Sequence, residues 1–169
     1  MTSGAIVQNG YVVDDLDAAV DHWIRTTGIG PWTVFRNVTL DGEYRGEATT
    51  VTMDVAMGYS GELQVELMQI TSSTPSPYAD VDGSPRLGPH HVAWISDDLD
   101  GSIAAAERNG LSVLFRAGNE MTRVAYLESA DQPGLIVEYI EGGMMRELIA
   151  AGVAAARHWD GTDPVRELG

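Results

Sequence analysis

Val13-Asp14-Asp15-Leu16-Asp17-Ala18-Ala19-Val20 and Ser96-Asp97-Asp98-Leu99-Asp100-Gly101-Ser102-Ile103 are two copies of one pattern, 83 residues apart (13 to 96). Eight residues before the Leu of each copy stand Gln8 and His91. Each copy then closes on an apolar strand with a Glu inside it, Val65-Glu66-Leu67 and Val137-Glu138-Tyr139. A repeat of this size means one supersecondary unit used twice. Two units related by pseudo-symmetry would carry Gln8, Glu66, His91 and Glu138 towards a shared centre.

Outward from the first copy, residues 5–13 read as a strand, and Asp14 or Asp15 caps the helix that follows. Leu16, Ala19, Val20, Trp23 and Ile24 form its apolar stripe. Thr27-Gly28-Ile29-Gly30-Pro31 stops it. Strand-like runs follow at Trp32–Val38, about 47–57 and 62–70, separated by Asp41-Gly42 and Gly58-Tyr59-Ser60-Gly61. The second half repeats the order in brief: a strand over 90–96, a helix over about 98–109, and strands near 112–116, 122–128 and 134–141. The offset is 83 residues at the front (8 to 91) but 72 at the back (66 to 138). The first half thus carries about eleven extra residues, placed in its hairpin around 38–58.

The expected fold is α+β: two tandem βαβββ modules, 5–70 and 90–141, forming a half-barrel cup, plus a C-terminal helix. The Ser-, Pro-, Gly- and Asp-rich stretch 71–89 reads as a linker. Residues 1–142 make the paired domain, and 143–169 a C-terminal helix and tail. Met144, Met145, Leu148, Ile149, Val153 and Ala156 give that helix an apolar stripe, and 159–164 reads as a turn. The stripe packs on the body or closes over the site.

The chain has 169 residues, 25 acidic against 10 basic, and a net charge of −15. That surface repels nucleic acid and anionic membrane. All ten basic residues are Arg, so no lysine Schiff base is available. With no Cys there is no disulfide, thiolate nucleophile or Cys-ligated zinc. No signal-like N-terminus and no long apolar run stand in the sequence. A cytoplasmic location is the default.

Strand parity sets Glu138 on one face with Ile136 and Ile140, Gln8 with Ile6 and Val12, and His91 with Ala93 and Ile95. A carboxylate between two Ile on a sheet face is costly unless it meets a cation or strong donors. Singly, each has a plainer reading. Gln8 could bond a strand neighbour, and His91 could be a satisfied core histidine. His90 beside it blurs which ring points inward, and Glu66 could share a solvated face with Gln64. Jointly, four polar groups at equivalent positions favour a metal site.

On Gln8 through Val20, Gly88-Pro89-His90-His91-Val92-Ala93 and Tyr126 through Glu141, the chain resembles the vicinal oxygen chelate superfamily, the glyoxalase and bleomycin-resistance fold. The resemblance spans about residues 5–141. By position it implies that Gln8, Glu66, His91 and Glu138 bind one divalent ion. That Gln/Glu/His/Glu set is similar to glyoxalase I, and the spacing around Pro89-His90-His91 and Pro133–Glu138 to methylmalonyl-CoA epimerase. Zn, Ni, Co, Mn and Fe(II) all suit three oxygens and one imidazole. The resemblance implies an enzyme, an isomerase, epimerase or lyase, that abstracts a proton next to a metal-bound carbonyl of a small organic substrate. Glu138 would be the base and Glu66 its partner or a plain ligand.

Two other readings stay open. One is a metal-free, resistance-type binding protein in which Trp32, Trp94, Tyr11 and Tyr139 sandwich a flat ligand, although parity puts Trp94 and Tyr139 opposite the ligands. The other is a ring-cleaving dioxygenase, which needs a second His that His90 could supply only by a register slip. A CoA ester, a glutathione adduct and an aromatic or polycyclic carbonyl all remain candidate substrates. Trp32, Phe35 and Met53 suggest an apolar pocket mouth. Exposed edges on half-barrels lead to the expectation of a homodimer.

Overall fold

The structure, a computed structural model, describes residues 4–168. Residues 1–3 and Gly169, the outer ends of the two expected spans, lie outside the described residues. The order is β1 (Gln8–Val12), α1 (Leu16–Thr27), β2 (Trp32–Tyr44), β3 (Glu47–Ser60) and β4 (Leu63–Ile70). Then come β5 (Gly88–Ile95), α2 (Leu99–Arg108), β6 (Ser112–Gly118), β7 (Arg123–Glu128) and β8 (Ile136–Glu141). The chain ends in α3 (Met145–Arg157) and β9 (Val165–Leu168).

Both helices start on the doubled Asp motif in the same way. Asp15 Oδ1 accepts from Ala18 N, and Asp98 Oδ1 from Gly101 N. The amide of the next residue is taken by the strand behind: Leu16 N donates to Gln69 Oε1, and Leu99 N to Glu141 Oε1. Gln69 and Glu141 stand three residues after Glu66 and Glu138. Leu16 and Leu99 are fully buried, each contributing about 1.5–3 kcal/mol of apolar burial. Gly28, in the left-handed region at φ 72°, closes α1.

The sheet order is β3-β4-β1-β5-β8-β7-β6-β2-β9, with a further pairing of β3 and β2. Eight strands therefore close on themselves. β1 runs parallel to β4 and antiparallel to β5, which runs parallel to β8. Asp41–Tyr44 of β2 pairs with Phe115–Gly118 of β6 and shuts the ring. The expected half-barrel cup is thus a closed barrel. Its end was hidden by Asp41-Gly42, read as a strand break. Gly42 lies within β2, where a Cβ would collide with the Arg116 carbonyl oxygen and Ala117 on the closing strand. The glycine serves close approach rather than a turn.

The remaining edge of β2, Trp32–Phe35, takes β9 as a parallel neighbour. The open edges on which the homodimer expectation rested are paired within the chain, leaving short β9 outermost. The tail is thus a turn followed by a strand, and Trp159 lies where a Cβ on Gly30 would be. α3 buries Val153, Met145 packs against the core, and Met144 and Leu148 stay exposed. Among the described residues no helix is long and apolar enough to cross a membrane.

Three apolar clusters divide the molecule. Val12, Met53, Val55, Phe115, Tyr126 and Ile140 belong to the one inside the ring. Leu16, Val20, Trp32 and Leu67 hold α1 to the outside, and Leu99, Ile103, Leu127 and Tyr139 hold α2. Trp32 and Met53 therefore lie on opposite faces of the sheet and form no common pocket mouth. Tyr11, Trp23 and Trp32 form an outer aromatic group, and Trp94 packs with Tyr139 under α2. The sandwich of four aromatics around an inner ligand is not formed. The stretch 71–89 is more than a linker: Tyr78 is fully buried in the barrel cluster.

Candidate metal centre

Strand parity holds for Gln8, Glu66 and Glu138, and all three reach the barrel interior beside His91. On β5 parity fails locally. Gly10 pairs with His91 but Tyr11 pairs with Pro89, so His90 is an extra residue in a β-bulge. Both His90 and His91 are consequently buried. Neither a choice between the two nor a register slip was needed.

The four expected residues converge on His91 Nε2. Gln8 Oε1 and Glu138 Oε2 each lie 2.9 Å from it, and Glu66 Oε2 3.5 Å. Gly10 makes room, since any Cβ there would overlap the His91 ring. Tyr126 stacks on the other side of that ring, centroids 5.0 Å apart. Gln8, His91 and Glu138 are nearly inaccessible, at 2%, 5% and 3% exposure.

A chain of amides runs outward from Gln8. Gln8 Nε2 donates to Gln64 Oε1 at 2.7 Å, and Gln64 Nε2 donates to the Tyr59 hydroxyl at 2.6 Å. The Gln8 amide nitrogen is thereby engaged, and its oxygen is presented inward. Tyr59 is itself pressed against α3, where a Cβ on Gly152 would meet its ring.

The centre is rich in acceptors and short of donors. Glu138 Oε2 has no hydrogen-bond partner of acceptable geometry despite its closeness to His91. Burial pushes the Glu66 carboxyl up to about 7, with Glu138 adding to the rise and His91 opposing it. Burial alone would lower the pKa of His91, but Glu138 and Glu66 outweigh it and raise it. The His90 ring is pushed down to about 3 by burial, with His91 adding to the shift. Burial also raises the phenols of Tyr78 and Tyr126 well above their usual value. Two carboxyl groups, an amide oxygen and an imidazole directed at one buried point could hold a cation. Among the described residues no group of three or more His, Cys, Asp or Glu is placed to hold a metal ion; Gln8 Oε1 and Glu138 Oε2 instead lie 2.9 Å from His91 Nε2.

A cleft of about 230 Å³ runs past the backbone of His91, lined by Asn9, Tyr11, Pro89, Leu135 and Ile136 among others; Gln8, Glu66 and Glu138 do not line it, and the His91 side chain is closed to solvent. Its walls are mainly apolar, and no arginine lines it. Sequence reasoning missed Gln64, Tyr59 and His90 as supports. Gln64 shares the strand face of Glu66 and was legible as a second polar residue on that face. The bulge that brings in His90 has no comparable signal beyond Pro89, which has no N–H for the ladder.

A family model described as the glyoxalase/bleomycin resistance protein/dioxygenase superfamily matches residues 7–126. No curated protein matches the chain. Among solved structures, a hypothetical protein from Bacillus halodurans C-125 is similar at 19% identity and a TM-score of 0.56, covering 81% of this chain and 93% of that one. Methylmalonyl-CoA epimerase from Mycobacterium tuberculosis is similar at 17% identity and a TM-score of 0.52, covering 85% and 93%. At such identities the likeness concerns the fold.

Proposed function

Since the chain belongs to the glyoxalase/bleomycin resistance protein/dioxygenase superfamily, we propose that it is a divalent-metal-dependent isomerase, epimerase or lyase acting on a small carbonyl compound. Its two halves are read as βαβββ modules that each give one first-strand and one last-strand ligand. Gln8, Glu66, His91 and Glu138 would hold the ion. The observation that carries the reading is the meeting of those four side chains at His91 Nε2. An acceptor cluster of that kind suits a divalent cation and leaves positions for substrate oxygens.

A divalent ion there, when bound, lowers the cost of negative charge developing on a carbonyl oxygen. Glu138 takes the proton from the adjacent carbon and returns it to the same or a neighbouring carbon, giving epimerisation or isomerisation. Expulsion of a group from the next carbon instead gives a lyase step. Glu66, with its raised pKa, is placed to share that proton.

The ring-cleaving alternative loses its second histidine, because both His90 ring nitrogens are engaged, with Pro77 and His91. The deciding experiment combines metal analysis with deuterium exchange. The purified protein should carry one divalent ion per chain and exchange the α-proton of a bound carbonyl compound with solvent. Glu138→Gln should retain an ion and stop exchange. Undiminished exchange in that variant removes the base assignment. A wild-type protein with no affinity for any divalent ion leaves the metal-free binding reading in its place.

A further inference from the structure

The centre is shut. The side chains of His91, Glu138 and Glu66 are 0%, 4% and 12% exposed, and neither glutamate lines the cleft that passes the His91 backbone. A metal enzyme and a binding protein alike need a way in, so some element has to move. One end of the barrel is stopped by Tyr78, which is fully buried and stacked on His90 at 4.8 Å. Its hydroxyl donates to that of Tyr126 at 2.9 Å. The other end is crossed by α3. At the start of α3, Arg146 pairs with Asp97, just past β5, at 2.8 Å. At its end Arg157 pairs with Glu62, between β3 and β4, at 3.1 Å. Met145 packs into the barrel cluster, and Gly152 lies so close to Tyr59 that a Cβ would overlap the ring. Tyr59 shares a face of β3 with Met53, Val55 and Met57, which belong to that cluster. The helix therefore lies across the mouth of the barrel and not along its outer wall.

Its hold there is light. Of the 13 residues of α3 only Val153 is buried, whereas the shorter α2 buries Leu99, Ile103 and Ala106. No side chain caps its first turn. Both arginine pairs are exposed, and ion pairs of that kind add little. Gly143, just ahead of the helix, has open space around it, and Gly161 beyond it turns at φ 93°. Outside those two glycines the chain is fixed, by β8 paired to β7 and by β9 paired to β2. We propose that α3 is a strap, anchored at both ends, that lifts from the barrel mouth to let a ligand in to the centre and seats again behind it.

The purpose of the strap rests on the reading that the centre takes a ligand, but its lifting is measured with neither ion nor substrate. The chain has no cysteine, so one introduced thiol reports on one place. Ala93 and Ala56 are both 0% exposed. Ala93 lies inside the barrel, paired with Gln8 and Glu138 near the end that α3 crosses, and Ala56 lies under α1. In native buffer, iodoacetamide should modify Ala93→Cys faster than Ala56→Cys. Gly152→Ala puts a methyl where the Tyr59 ring stands yet favours the helix itself, so it unseats α3 without unfolding it. It should speed the inner thiol about 10- to 100-fold and leave the outer one unchanged. Arg146→Ser combined with Arg157→Ser should act in the same direction, by about 2- to 5-fold. Equal rates for the two thiols, or a Gly152→Ala protein in which both or neither accelerate, overturn the proposal. If Ala93→Cys does not fold, Val124→Cys in the same cluster replaces it, and if Gly152→Ala does not, the paired arginine variant decides. Should the protein bind neither a divalent ion nor a carbonyl compound, the reading of the centre falls, and the thiol rates still judge whether α3 lifts.

Discussion

In the first half, Gln8 is turned to the centre by two side chains, Gln64 and Tyr59; in the second, His91 is turned by a neighbouring ring and a backbone carbonyl, His90 and Pro77. On the outside, the halves differ in volume as well. Trp23 of α1 packs on Tyr11 and Trp32 at 5.3 and 6.1 Å. The matching position in α2 (23 to 106) is Ala106. There a cleft of about 660 Å³ remains beside Trp94 and Tyr139. Both halves turn a first-strand polar side chain to a common point at the inner face. The support behind it is free to differ, and so is the packing on the outer face, which never touches the centre.

The sharpest way to break this comparison is to delete an inward side chain from each half. His91→Ala removes the atom on which all the others converge and should abolish divalent-ion binding in calorimetry. Gln8→Ala removes one neutral oxygen and should leave weakened but measurable binding. Equal effects would mean that the halves contribute alike. Gly10→Ala acts on the same ring from the first half. Its methyl would overlap His91, an overpacking that costs about 1–3 kcal/mol at about 2–4 °C of Tm per kcal/mol, and ion affinity should fall with it. A variant with unchanged Tm and unchanged ion binding would place the ring elsewhere.

Tyr59→Phe probes the first half's support with less damage. It leaves the buried Gln64 N–H without its acceptor, at a cost of about 1–3 kcal/mol, and loosens the orientation of Gln8. Ion affinity should drop by less than in Gln8→Ala. An affinity equal to wild type would show that Gln8 orients itself.

The repeat made most of this legible. The doubled Asp motif located both helices and their caps, and the paired Glu strands located side chains that meet inside the barrel, because burial on one sheet face enforces a period of two. Where that period breaks, the sequence is silent. The bulge at His90 depends on how β5 meets Gly10, a relation between strands that no single run of residues displays. Barrel closure depends on contacts between Gly42 and β6, and Asp-Gly there looks the same as a turn. Tyr78 was hidden by its company, since the Pro, Ser and Gly around it signal a loop whether or not that loop enters a core.

The smallest expected effect lies on the outer face and isolates it from the centre. Ala106 is buried, at 5% exposure, and borders the second half's cleft with Leu111, Trp94 and Tyr139. Ala106→Leu would put there a side chain nearer in volume to the one the first half carries at position 23. Filling a pre-existing space adds about 0.5–2 kcal/mol, so Tm should rise by a few degrees at about 2–4 °C per kcal/mol. Ion affinity should not change, because α2 packs on the outer face of β6, β7 and β8, with the sheet between it and the centre. A lower Tm would mean that the cleft opens away from position 106, and a changed affinity would mean that the two faces of the sheet are coupled.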